Sequence, residues 1–89
     1  MAKKRRKLNK DFERKIYSSK KNVELVLAKI YDIDDEDIQK EYMSAFKEVV
    51  FLYDELKDDY EKLGFNHNSE ELLTNYKRAL NLFESEFEI

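Results

Sequence analysis

Apolar residues recur along this chain at steps of three and four in three successive registers, and each register predicts a helix with one buried face. In the first, Phe12, Ile16, Val23, Val26 and Ile30 form the stripe, Leu27 widens it, and Ser19 occupies the gap. Asn9 is a good N-cap, and Asp11 and Glu13 follow in the first turn, where the helix dipole favours acids. A helix over about residues 9–31 is expected.

The run DIDDED at 32–37 breaks that register and supplies Asp34 or Asp35 as the cap of a second helix, about 35–63. Its stripe is Ile38, Tyr42, Ala45, Val49, Leu52, Leu56, Tyr60 and Leu63, with Phe46 and Tyr53 along the edge. Gly64, the only glycine, falls where a left-handed residue would end this helix, and Phe65 would then touch Tyr60 as in a Schellman stop. Asn68 with Glu71 resembles a capping box opening a third helix, about 69–88. Its stripe is Leu72, Leu73, Tyr76, Ala79, Leu80, Phe83 and Phe87. Short links favour antiparallel neighbours, so the expected fold is all-α: an up-down-up three-helix bundle with a long central helix and a basic N-terminal arm. Residues 1–8 form the arm and 9–89 a single domain.

Composition reinforces this reading. Zero proline, one glycine and 42% charged residues leave little to interrupt a helix or build a hairpin. A chain of 89 residues buries roughly 60 to 65% of its unfolded surface, which makes oligomerisation a natural supplement to its stability. No cysteine is present for a disulfide or a thiolate metal site, and no apolar run approaches the roughly 20 residues of a membrane span. A soluble, cytoplasmic protein is expected.

Charge changes the picture most. The first twenty-two residues carry ten Lys/Arg against two acids, a balance of +8, whereas Val23 to Ile89 carries seven against eighteen, −11. The basic side comprises Lys3, Lys4, Arg5, Arg6 and Lys7, then Lys10, Arg14, Lys15, Lys20 and Lys21. KKRRK suits a polyanion-binding tail, a nuclear localisation signal, an anionic-membrane tether or a solubilising leader. Lys10, Arg14 and Lys21 share a broad helical sector and would extend the arm onto an ordered surface. The candidate polyanion-binding set is Lys3, Lys4, Arg5, Arg6, Lys7, Lys10, Arg14 and Lys21. Binding through it would be tolerant of sequence and steeply salt-dependent.

Helix two also has apolar residues to spare. Val49, Val50, Phe51 and Leu52 nearly encircle it, and Phe51, Val50 and Met43 lie roughly 140°, 120° and 140° from the centre of the predicted stripe. Met43, Val50 and Phe51 are therefore the candidate partner-binding group, for a homodimer or another protein. Leu25 and Leu82 are expected to point outward singly.

Enzymatic chemistry finds little footing. The only histidine, His67, falls in the loop after Gly64, with no cysteine to activate. Asp34/Asp37 and Glu55/Asp58 imitate the paired carboxylates of all-α nucleotide pyrophosphatases, but they stand on one helix about 30 Å apart and cannot clasp one ion. The Asp32 to Asp37 segment lacks the glycine and distal Glu of an EF-hand loop. No catalytic residue, metal or cofactor is expected. Nor is there a helix-turn-helix, which needs a short Gly-containing turn between two brief helices. The preferred reading is a non-enzymatic adaptor or regulator that binds a protein through helix two and a polyanion, nucleic acid above all, through the arm. One alternative is an acidic nucleic-acid mimic that inhibits a basic-grooved enzyme, as phage and mobile-element proteins do. The other is a homo-oligomeric assembly protein.

Overall fold

A computed structural model describes residues 7–89 of the chain, and it is an all-α three-helix bundle. The helices are α1 (Lys10–Tyr31), α2 (Glu36–Leu63) and α3 (Ser69–Glu86). The arm expected over residues 1–8 lies outside the described residues as far as Arg6. No helix among the described residues is long and apolar enough to cross a membrane.

The first two helices begin as their sequences dictate. The Asn9 side chain accepts a hydrogen bond from the Phe12 amide at 3.0 Å. Asp35 does the same for Asp37 and Ile38, at 2.9 and 3.2 Å. Each cap satisfies amide donors that the helix cannot pair internally.

Phe12, Ile16, Val26 and Ile30 from α1, Phe46, Val49, Leu56 and Tyr60 from α2, and Tyr76 and Leu80 from α3 form the core. The buried line of α2 therefore runs through Phe46, with Tyr42 and Tyr53 half-buried beside it, while Ala45 and the predicted stripe ends Ile38 and Leu63 are exposed. Relative to the expected stripe, the helix is turned by about 40° toward Phe46. Aromatic packing accounts for the turn: Phe46 meets Phe83 edge-on at 5.1 Å and Tyr53 meets Tyr76 at 5.5 Å, two large rings that the expected stripe kept only at its edge.

Ser19 fills its gap in the α1 stripe with a hydrogen bond. Its hydroxyl lies 2.6 Å from the Tyr76 hydroxyl and donates to the Ile16 carbonyl at 2.6 Å. With its one proton so used, Ser19 accepts from Tyr76, and both buried hydroxyls are satisfied.

The stop after α2 differs from the expected Schellman turn. Gly64 has φ 70° and ψ −164°, a region open essentially to glycine alone, and its amide donates to Tyr60 at 2.8 Å. The next amide, of Phe65, turns away from α2 and donates to the Lys7 carbonyl at 2.6 Å. Lys7 and Gly64 thereby form an isolated parallel bridge, and the Phe65 ring meets Phe12 edge-on at 5.1 Å. Asn9 continues the clasp, its amide donating to the Tyr60 hydroxyl at 3.0 Å.

The expected capping box at Asn68 is absent, since the Asn68 side chain makes no capping bond. Asn66 takes over the loop: its amide donates to the buried Ser69 hydroxyl, its side-chain oxygen accepts from the Asn68 amide, and its side-chain nitrogen reaches Asp59 and Gly64. A Schellman arrangement does occur, but at the end of α3. Glu88 sits at φ 57°, the Ile89 amide donates to Glu84 at 2.8 Å, and the Glu88 amide approaches Ser85 at 3.3 Å.

Candidate functional site

Two longitudinal grooves of opposite chemistry separate the helices. The first lies between α1 and α3. The same 3.6-residue period that sends Ile16 into the core carries Lys15 to the α3 side of α1, and on α3 it aligns Thr74, Lys77, Arg78 and Asn81 opposite. These residues line a groove of about 630 Å³ that also holds Leu73 and Glu84. A second recess shares Lys15, Leu73 and Thr74 with it and continues past Phe12 and Phe65 toward Asn9.

Charge in this groove is mainly cationic and unneutralised. Among the described residues the ion pairs are Arg14 with Asp11, at 3.7 Å, and Lys62 with Asp58, at 3.8 Å, both on exposed helix surfaces. Lys15, Lys77 and Arg78 belong to neither. The Glu84 carboxylate accepts a hydrogen bond from the Asn22 side chain.

Of the predicted polyanion-binding residues, Lys3, Lys4, Arg5 and Arg6 lie outside the described residues. Lys7 stands at the clasp, its ammonium 5.9 Å from the centre of the Phe65 ring. Lys10, Arg14 and Lys21 are exposed on one outer sector of α1, as their spacing requires, with Arg14 shared with Asp11. That sector faces away from the α1–α3 groove. Sequence reasoning missed Lys77 and Arg78 because α3 reads as an acidic helix; the adjacent pair of cations among its glutamates was the available signal.

The second groove, about 470 Å³, lies between α2 and α3. Ala45, Val49 and Ala79 keep it open, the exposed Leu82 stands at its edge, and its carboxylates are those of Glu41, Glu48 and Glu86. Tyr42 crosses it to donate a hydrogen bond to Glu86. That bond, followed by burial and the charges of Glu86 and Glu41, holds the Tyr42 phenol above its ordinary pKa.

The predicted partner-binding group divides. Met43, expected to face outward, is half-buried and packs against the core, because the turn of α2 toward Phe46 brings it onto the flank of the buried face. Val50, two turns along the same flank, is 39% exposed. Phe51 is 63% exposed and stands nearly opposite the core line, and Leu25 and Leu82 also face outward.

Tyr17 and Tyr53 are held above their ordinary pKa by burial first and by neighbouring carboxylates second, Glu61 among them for both. Burial pushes the Tyr76 phenol up to about 12. His67 is exposed in the α2–α3 loop. Among the described residues, no group of three or more His, Cys, Asp or Glu side chains is placed to hold a metal ion. No protein-family model, curated protein or solved structure matches this chain.

Proposed function

We propose that this protein is a non-enzymatic adaptor that holds nucleic acid through its basic amino-terminal side and a protein, a second copy of itself or another chain, through α2. The observation that supports this most is the segregation of charge: +8 over the first twenty-two residues against −11 over the remainder. Phosphates are drawn to the first part, while the net charge of the second opposes them except where its own cations gather. Phe51 supplies the protein-binding side, as a large ring exposed on a helix whose opposite face is already buried in the bundle.

The test is fluorescence anisotropy with a labelled oligonucleotide across a salt series. Replacing Lys3, Lys4, Arg5 and Arg6 with Gln is expected to weaken binding and flatten its salt dependence. Retention of wild-type affinity and slope rejects the arm's role. Light scattering with and without DNA then gives the mass of the species in solution, and Phe51→Glu is expected to lower that mass where α2 forms the interface.

The mimicry reading has its own support in Asp54, Asp58 and Glu61, which share an outward sector of α2. Reversing those three charges would release a basic-grooved enzyme while the arm substitutions leave that complex intact.

A further inference from the structure

We propose that the α1–α3 groove is a track for the phosphate backbone of a single nucleic-acid strand, gripped by Lys15, Lys77 and Arg78. The choice of ligand class rests on the nucleic-acid reading above. The site itself rests on separate observations, and none of its residues belongs to the arm.

Charge is the first of these. Three cations from two helices converge on one groove, and no ion pair among the described residues neutralises them. Such an arrangement in water is open to a mobile anion, and each phosphate it takes up releases condensed counterions. Glu84, the acid in this groove, accepts a hydrogen bond from Asn22 of α1.

The second is the arrangement of donors. Thr74, Lys77/Arg78 and Asn81 stand at successive turns of α3 and span about 10 Å of helix rise. That length accommodates two adjacent phosphates of an extended single strand, the number that the charged pair can neutralise. The hydroxyl and the amide add neutral donors on either side of the charged pair, the mixture that phosphate oxygens accept.

Continuity is the third. The groove and the recess beyond it share Lys15, Leu73 and Thr74, and the recess leads to Phe65, over whose ring Lys7 stands. The chain emerges from the arm at this mouth. A strand lying in the groove therefore passes from Lys77 and Arg78 toward the point where the KKRRK sequence begins its attachment to the bundle.

The placement of the acids favours a single strand. Asp11 and Glu70 line the recess beside Lys15, and Glu84 lines the groove, so carboxylates stand next to the three cations. A duplex or an anionic bilayer spreads negative charge across those carboxylates. Base stacking adds little, because the Phe12 and Phe65 rings are already engaged with each other, with Tyr60 and with Lys7.

The experiment compares wild type, Lys77→Gln/Arg78→Gln and the arm variant by anisotropy with a labelled 20-nucleotide single strand between 50 and 200 mM salt. Glutamine has a helix propensity close to that of Lys and Arg, and circular dichroism checks that the groove variant stays folded. Loss of two phosphate contacts is expected to flatten the slope of log affinity against log salt by about 1.4, at roughly 0.7 per phosphate on a single strand. Wild-type affinity and slope in the groove variant, with loss confined to the arm variant, overturns the groove and spares the nucleic-acid reading. No binding by wild type overturns both. A duplex competing as well per phosphate as the single strand overturns the single-strand assignment. Vesicles of phosphatidylcholine with 30% phosphatidylserine provide the last arm: groove-dependent capture by them, with oligonucleotide binding unchanged, assigns the cations to a lipid surface and overturns the proposal.

Discussion

Replacing Ser19 with Ala should destabilise the bundle more than replacing Tyr76 with Phe, although the second change alters the larger side chain. Both hydroxyls are buried, Tyr76 at 0% exposure and Ser19 at 3%, and they lie 2.6 Å apart. Without Ser19 the phenol keeps its place in the core and loses its acceptor, which costs about 1–3 kcal/mol for an unsatisfied buried group. Tyr76→Phe removes the phenol hydroxyl itself, and Ser19 still donates to the Ile16 carbonyl, so the expected loss is about 0.5–1.5 kcal/mol. The double variant has no stranded donor and should be no less stable than Ser19→Ala alone. For a domain of this size, whose total stability is about 4–13 kcal/mol at 0.05–0.15 per residue, these differences are readily resolved. Urea unfolding followed by circular dichroism at pH 7 measures them, and the four proteins form a double-mutant cycle. Ser19→Ala within about 0.5 kcal/mol of wild type, with no coupling to position 76, would refute the pairing of these two hydroxyls in the core.

The same pair sets an alkaline limit. The Tyr76 phenol is raised from 10.0 to about 12, chiefly by burial. A folded value above the unfolded one means that this contribution is complete below pH 10 and disappears as pH climbs from 10 toward 12. The loss is about 2 kcal/mol once screening is allowed for. Tyr17, Tyr42 and Tyr53 shift in the same direction, so the comparison of wild type with Tyr76→Phe isolates the Tyr76 share.

Four further outcomes are expected. Gly64→Ala forces a β-carbon into a backbone region that only glycine occupies freely and should cost about 1–3 kcal/mol, read as a lowered urea midpoint. Glu88→Gly relieves a left-handed non-glycine residue and should raise stability by up to about 1 kcal/mol; a lowered midpoint would contradict the helix stop assigned there. Met43→Glu should unfold or strongly destabilise the protein, whereas Phe51→Glu should leave its urea midpoint nearly unchanged; equal losses would contradict the orientation of α2. Truncation that also removes Lys7 should destabilise the α2–α3 loop beyond removal of residues 1–6 alone, detectable as faster amide exchange at Phe65.

Much of this architecture was legible in the residues themselves. Three periodic stripes, the caps at Asn9 and Asp35 and the lone Gly64 fixed the elements and their ends to within about two residues, because each depends on local geometry. What the chain did not reveal locally was rotation. Tyr42, Ala45, Phe46 and Val49 form an arc wide enough to centre a buried face in two ways. The choice was made by rings on α3, Phe83 and Tyr76, far away in sequence. Met43 followed that choice inward. Gly64 does end α2, but the Schellman geometry expected after it is absent for a similar reason, since the acceptor for the Phe65 amide is Lys7, before α1 begins. For the basic surface, periodicity placed Lys10, Arg14 and Lys21 together, but the pairing of Lys15 with Lys77 and Arg78 depends on which helix faces which.

The up-down-up path starts and finishes at opposite poles, with Lys7 fastened beside the α2–α3 loop and Ile89 at the other extremity past the glutamates of α3. A reporter or surface tether joined after Ile89 stands the length of a helix away from Lys7 and the recess beside Phe65. Immobilised by its tail, the molecule presents Lys7 and the α2–α3 loop outward.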